Sequence, residues 1–149
     1  MSIPYAPEVE AQLAEYRAYL TPENAREAFD TFVNAARNDD RYSFFPHAQG
    51  MLRRTVRYMI GSDWSYRFIT NRSDLLFYYR QPCGRVSDLL LEDLKRKGLD
   101  VGYVPRRAPR RHEINVRIAS REEAQIVLND CFGVGVGMGS GLVLRQSAS

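Results

Sequence analysis

The sequence predicts an α+β fold: N-terminal helices followed by a four-stranded, mainly antiparallel sheet built as two strand–strand–helix units. Three observations carry this prediction. Apolar residues recur at helical spacing up to residue 60, and from Trp64 the period changes to alternation. The order strand, strand, helix then occurs twice, over 65–97 and 101–132, with no residue-level similarity between the two units. A length of 149 residues suits one domain, expected over 1–132 with a helical part (1–60) and a sheet part (64–132). Residues 133–149 read as a Gly-rich tail.

Two helices open the chain. Pro7 fits a first helical position, and Val9, Leu13, Tyr16 and Leu20 form one apolar stripe. Thr21-Pro22-Glu23 reads as N-cap, N1 and an early acid, and Ala25, Phe29, Phe32, Val33 and Ala36 form the next stripe. The short break between them predicts an antiparallel helical hairpin. Asn38-Asp39-Asp40 ends it. A third helix is expected over 47–60, with Leu52, Val56, Met59 and Ile60 inward and Arg53, Arg54 and Arg57 on the far side.

Tyr66, Phe68 and Thr70 alternate with Arg67 and Ile69, as in a strand, and Asn71-Arg72-Ser73-Asp74 is turn chemistry. The apolar and aromatic run Leu75 to Arg80 reads as a central strand covered on both faces. Ser87 caps a helix running to Lys97, with Leu90, Leu91 and Leu94 inward and Gly98 at C′. Val101 to Val104 is a short strand, Pro105 to His112 a loop, and Ile114, Val116 and Ile118 mark a half-buried strand. Ser120 and Glu123 form a capping box for the last helix, whose inner residues are Ala124, Val127, Leu128 and Cys131. Both later helices are expected on one face of the sheet. The N-terminal pair would cover the other face or pack at one end.

Charge is unevenly distributed. Residues 1–50 carry four Arg/Lys and eight Asp/Glu, residues 51–118 fifteen and seven, and residues 119–149 two and three. A total of +3 therefore hides a basic middle, and a clustered positive field attracts polyanions whatever the net charge. Nineteen of the 21 basic residues are arginine, whose fork suits phosphates and base edges. A general bias toward arginine is the plainer account of that number.

The sharpest feature is Arg106-Arg107-Ala108-Pro109-Arg110-Arg111-His112, four guanidinium groups and an imidazole in seven residues, stiffened by Pro105 and Pro109. Such density is self-repulsive, and a polyanion offsets the repulsion while counterion release drives binding. Tyr66, Phe68, Phe77, Tyr78, Tyr79 and Tyr103 offer stacking surfaces if their face is open, although Phe68 and Phe77 read as core. Lys95-Arg96-Lys97 is explained by the dipole of the helix it ends.

Catalytic signals are weak. His47 and His112 lie in different segments, Cys83 has no local base, and no metal-ligand spacing or phosphate-cradling glycine motif occurs, so no cofactor or metal is expected. Glu92-Asp93-Leu94-Lys95 contains an ordinary surface pair on a helix. No apolar run is long enough for a membrane span, and the N-terminus has no signal-peptide pattern. With two cysteines 48 positions apart, the expected location is a reducing cytoplasm.

The expectation is thus a non-enzymatic nucleic-acid-binding module. Arg106, Arg107, Arg110, Arg111 and His112 are its primary contacts, and Arg53, Arg54 and Arg57 a second patch. The alternative is a protein-interaction module, an inhibitor, immunity-type or assembly component, whose basic surface meets an acidic protein partner. Its tail, with Leu142-Val143-Leu144, would add a strand to the partner. An enzyme assembled from distant residues ranks last.

Overall fold

The computed structural model describes residues 5–39, 41–45, 54–60, 63–80, 86–104 and 113–132. Helices α1 (Pro7–Tyr19) and α2 (Glu23–Arg37) come first. They run antiparallel, as two ion pairs at different heights require: Glu10 with Arg37, and Arg17 with Asp30. Pro7 lies in the first turn of α1 as expected. Thr21, however, does not cap α2. Pro22 is the N-cap residue, and the Thr21 hydroxyl donates to the carbonyl of Arg72, tying the helical hairpin to a turn of the sheet.

The sheet has six strands rather than four: β1 (Tyr42–Phe45), β2 (Thr55–Ile60), β3 (Asp63–Thr70), β4 (Leu75–Arg80), β5 (Asp100–Tyr103) and β6 (Glu113–Ile118). Their order is β1-β2-β3-β4-β6-β5, with every neighbouring pair antiparallel. The two predicted units are present, as β3-β4 followed by α3 (Asp88–Arg96) and β5-β6 followed by α4 (Arg121–Phe132). The hairpin-like pair β1-β2 is the addition. Residues 55–60, expected as the end of a helix, are strand β2, and residues 46–53 lie outside the described residues. The apolar residues Val56, Met59 and Ile60 fit a helical stripe. Thr55-Val56-Arg57-Tyr58 also alternates, and pairing with both β1 and β3 decides for the strand.

Local signals hold elsewhere. The Ser87 side chain accepts from the Leu89 amide, and Gly98 has φ +90, the left-handed conformation a helix C-terminus favours. Ser120 accepts from the Glu123 amide, while the Glu123 carboxylate reaches back to the Ala119 amide. The turn 71–74 closes through Asn71 N–H donating to the Asp74 carbonyl.

One face of the sheet carries the core. Val56 and Tyr58, Phe68, Leu75, Phe77 and Tyr79, Ile114, Val116 and Ile118, and Val101 are all buried in one cluster with residues from all four helices. Phe32 of α2 stacks between Phe68 and Phe77, with ring centroids 5.3 Å and 5.0 Å away, and Phe29 meets Phe68 edge-on. All four helices therefore lie on the same side, correcting the expectation that the N-terminal pair covers the opposite face or packs at one end. Strand β4 is central, between β3 and β6, but its burial alternates: Leu75, Phe77 and Tyr79 are buried, Leu76, Tyr78 and Arg80 half-buried. Among the described residues, the expected coverage of both its faces is therefore seen on the helix side alone. Cys131 is half-buried at the core margin, where burial raises its thiol pKa and keeps it a thiol.

Candidate phosphate-contacting face of the sheet

Since strand residues alternate, every second side chain of the six strands points away from the helices. Among the described residues, no helix packs there. The strand register sorts these positions into rows running across the sheet. The middle row is Arg57 (β2), Arg67 (β3), Tyr78 (β4), Asn115 (β6) and Gly102 (β5). A second row contains Thr55, Ile69, Leu76, Arg117 and Asp100, and Arg80 opposes Glu113 at the end where β4 finishes and β6 begins. Rows lie about 6.6 Å apart and strands about 4.8 Å apart, so the middle row and the Arg80–Glu113 pair form one patch.

The electrostatics of that patch are unusual for a sheet surface. Arg57 and Arg67 stand directly opposite each other on neighbouring strands, where like charges repel by a few tenths to about 1 kcal/mol. Partial burial lowers the Arg57 pKa, and the Arg67 guanidinium beside it adds to the effect. Arg67 lies over the Tyr78 ring, its guanidinium carbon 4.5 Å from the centroid, and its Nη2 is 3.7 Å from Oε2 of Glu113. Glu113 is 1% exposed, the most buried carboxylate among the described residues. Three arginines, 57, 67 and 80, thus share a patch with the Glu113 carboxylate. Arg117, farther along, is matched by Asp74 at 3.1 Å and Asp100 at 3.9 Å.

The predicted site residues separate. Arg57 belongs to the helix-free face. Arg54 does not: it adopts φ +59 just before β2, donates from Nε to the Thr70 carbonyl and stacks on Tyr19 of α1. The expected basic helix face formed by Arg53, Arg54 and Arg57 is therefore not formed, because the segment from 55 onward is extended. Arg53, Arg106, Arg107, Arg110, Arg111 and His112 lie outside the described residues, as do His47, Cys83 and the 133–149 tail. The residues flanking 105–112 are described: the Val104 amide donates to the Glu113 carbonyl at 2.9 Å, which places both at the Arg80–Glu113 end of the sheet. Arg54 sits at the other end of the strands.

Of the aromatic residues considered for stacking, Phe68, Phe77 and Tyr79 are core. Tyr103 is on the helix side, hydrogen-bonded to Asp88, and Tyr78 is on the helix-free face. Sequence reasoning missed Arg67, Arg80, Tyr78 and Glu113 as a group. The signal was present in the alternation of Tyr66-Arg67-Phe68, but without β2 as a strand nothing placed Arg57 against Arg67. Among the described residues no three His, Cys, Asp or Glu side chains are grouped to hold a metal ion, and no helix is long and apolar enough to cross a membrane. No protein-family model matches the chain, and neither a curated protein nor a solved structure matches it.

Proposed function

We propose that this chain is a nucleic-acid-binding module that holds phosphates on the helix-free face of its sheet, with Arg57, Arg67 and Arg80 as contacts and the four arginines of Arg106–Arg111 as further ones. The supporting observation is the direct opposition of Arg57 and Arg67 across neighbouring strands in a half-buried patch, where each guanidinium lies in the other's field. A phosphate between the two forks relieves their repulsion and gains charge-assisted hydrogen bonds. The four arginines of 106–111 join this role on their sequence. The described residues on either side of that segment, Val104 and Glu113, meet at the Arg80 end of the sheet. Phosphate contacts position a nucleic acid without reading it, so little base discrimination is expected.

The test is a salt titration of the full chain with labelled single-stranded and duplex oligonucleotides of mixed sequence. Three neutralised phosphates give a slope of log K against log [salt] of about −2 on single strands. The double variant R57Q/R67Q is expected to lower affinity at least about tenfold, and charge reversal across 106–111 to lower it further. Absence of binding at low ionic strength, or binding indifferent to salt, refutes the proposal.

A protein partner is the second reading, favoured by the edges of the sheet. Among the described residues no strand pairs with the outer sides of β1 and β5, and an unpaired edge accepts an added strand. Association that persists after nuclease treatment and is lost when 133–149 is deleted would establish it.

A further inference from the structure

We propose that Tyr19, Arg54 and Arg72 form a separate anion site, at the end of the sheet remote from Glu113, that takes a phosphate group. Two guanidinium groups converge on one ring there: the Arg54 carbon lies 3.9 Å and the Arg72 carbon 4.9 Å from the Tyr19 centroid, so the two are at most about 9 Å apart. This upper bound is comparable to the screening length of physiological salt, about 8 Å. Both residues are held. The Arg54 Nε donates to the Thr70 carbonyl at 2.9 Å, and the Thr70 amide donates back to the Arg54 carbonyl at 3.0 Å. The Arg72 carbonyl accepts from both the amide and the hydroxyl of Thr21. Arg54 also occupies the left-handed region at φ +59, a costly conformation for a side chain of this kind.

What distinguishes this corner is the missing counter-charge. Arg17, Arg37, Arg41, Arg67 and Arg117 each have a carboxylate within 4.0 Å, whereas among the described residues Arg54 and Arg72 have none. Asp74, the acid in Arg72's own turn, is engaged by Asn71 and Arg117. The C-terminus of α1 supplies only about half a negative charge, and its Leu20 carbonyl already accepts from Arg26. Glu15, one turn before Tyr19 on α1, acts on Tyr16 together with Arg54 and offsets part of this charge from a distance, so among the described residues the corner keeps a net positive charge. Two forks sharing one anion match a phosphate, which offers oxygens to both, better than a carboxylate, which one fork satisfies. The anion can be free phosphate or a phosphate of a nucleic acid, and the two sources are separable by experiment.

The full chain, labelled with ¹⁵N-arginine, is titrated with inorganic phosphate at constant ionic strength made up with chloride. Saturable shifts of Arg54 and Arg72 are expected, with affinity reduced at least about tenfold in R72Q, an exposed turn position, and in Y19L. Competition then assigns the source. If a single-stranded oligonucleotide displaces phosphate and R72Q weakens both, nucleic acid fills the corner; if it does not displace phosphate, the ligand is free phosphate. Either result supports the site. Failure to saturate with either ligand overturns it, as does R72Q affinity within twofold of the parent chain for a variant with unchanged circular dichroism.

Discussion

The two faces of one sheet follow opposite rules although the same six strands build both. On the helix side, neighbouring positions across β2, β3, β4 and β6 are Val56, Phe68, Phe77 and Val116, all fully buried. On the other side, one residue along, they are Arg57, Arg67, Tyr78 and Asn115, half-buried and polar. The helix side gains from removing apolar area from water, at about 25 cal/mol per Å². The helix-free side incurs like-charge repulsion and partial desolvation of cations, terms that weaken an isolated protein. Stability and recognition are therefore divided by strand parity, and substitutions should divide the same way.

The largest expected effect tests the helix side. Phe32 is fully buried between two rings, and Phe32→Ala should cost about 3–5 kcal/mol in urea unfolding, through lost transfer energy and a cavity. Oligonucleotide affinity, measured where the variant remains folded, should be unchanged. A loss below about 1 kcal/mol would mean that the α2–sheet packing is not the centre of the core.

Glu113→Gln probes the boundary between the two roles. Removing this buried carboxylate takes away the ion pair it makes with Arg67. The expected cost is about 1–3 kcal/mol, below the figure for a fully buried pair because Arg67 is 30% exposed. Anion affinity should move the other way and increase, since a competing acceptor has gone. A variant that loses both stability and affinity would assign Glu113 to folding alone.

The sequence read the helix side well and the other side poorly, for a physical reason. Hydrophobic stripes report burial, so Leu13, Phe29, Phe32, Leu94, Val127 and Leu128 were recognisable before any fold was known, as were the caps at Ser87 and Ser120. Caps and turns are local bonds between residues a few positions apart. The Arg57–Arg67 opposition instead depends on register, and register depends on which strand pairs with which. Reading 47–60 as a helix concealed β2, and with it the partner of Arg67. The position of α1 and α2 was also undetermined by stripes, because an apolar stripe shows that a helix packs but not on which side of a sheet. Arg54 illustrates a third limit: three positions from Arg57, it serves the helix side because its backbone turns left-handed before the strand begins.

A smaller effect concerns the join within the helical layer. Arg37 hydrogen-bonds the Glu10 carboxylate and holds its pKa below the usual glutamate value, with the Tyr5 amide adding to this. A depressed folded-state pKa contributes stability above the unfolded-state value, about 4.3, and that contribution disappears as pH falls through the lower folded-state value. Glu10 is more than a third exposed, so solvent screening limits the pair to about 0.5–1 kcal/mol. Glu10→Gln should therefore lower stability at pH 7 by about that amount and by progressively less below pH 4, in parallel denaturation curves. A difference that stays constant down to pH 2 would show that the pair's charge contributes nothing.

The smallest expected effect asks whether membership of the helical layer matters apart from burial. Leu89 is the second residue of α3, two residues from the Ser87 cap, and is 81% exposed, the one large hydrophobic side chain left in solvent among the described residues. Its neighbours Leu91 and Leu94 are buried in the core. If burial alone decides, Leu89→Ser changes stability by no more than about 0.5 kcal/mol, as surface substitutions do. Leu91→Ser, two residues later on the same helix, should cost several times more, because it places a hydroxyl against apolar neighbours. Equal losses at the two positions would require Leu89 to be covered in solution. Self-association should then be visible by sedimentation in the parent chain and absent in Leu89→Ser.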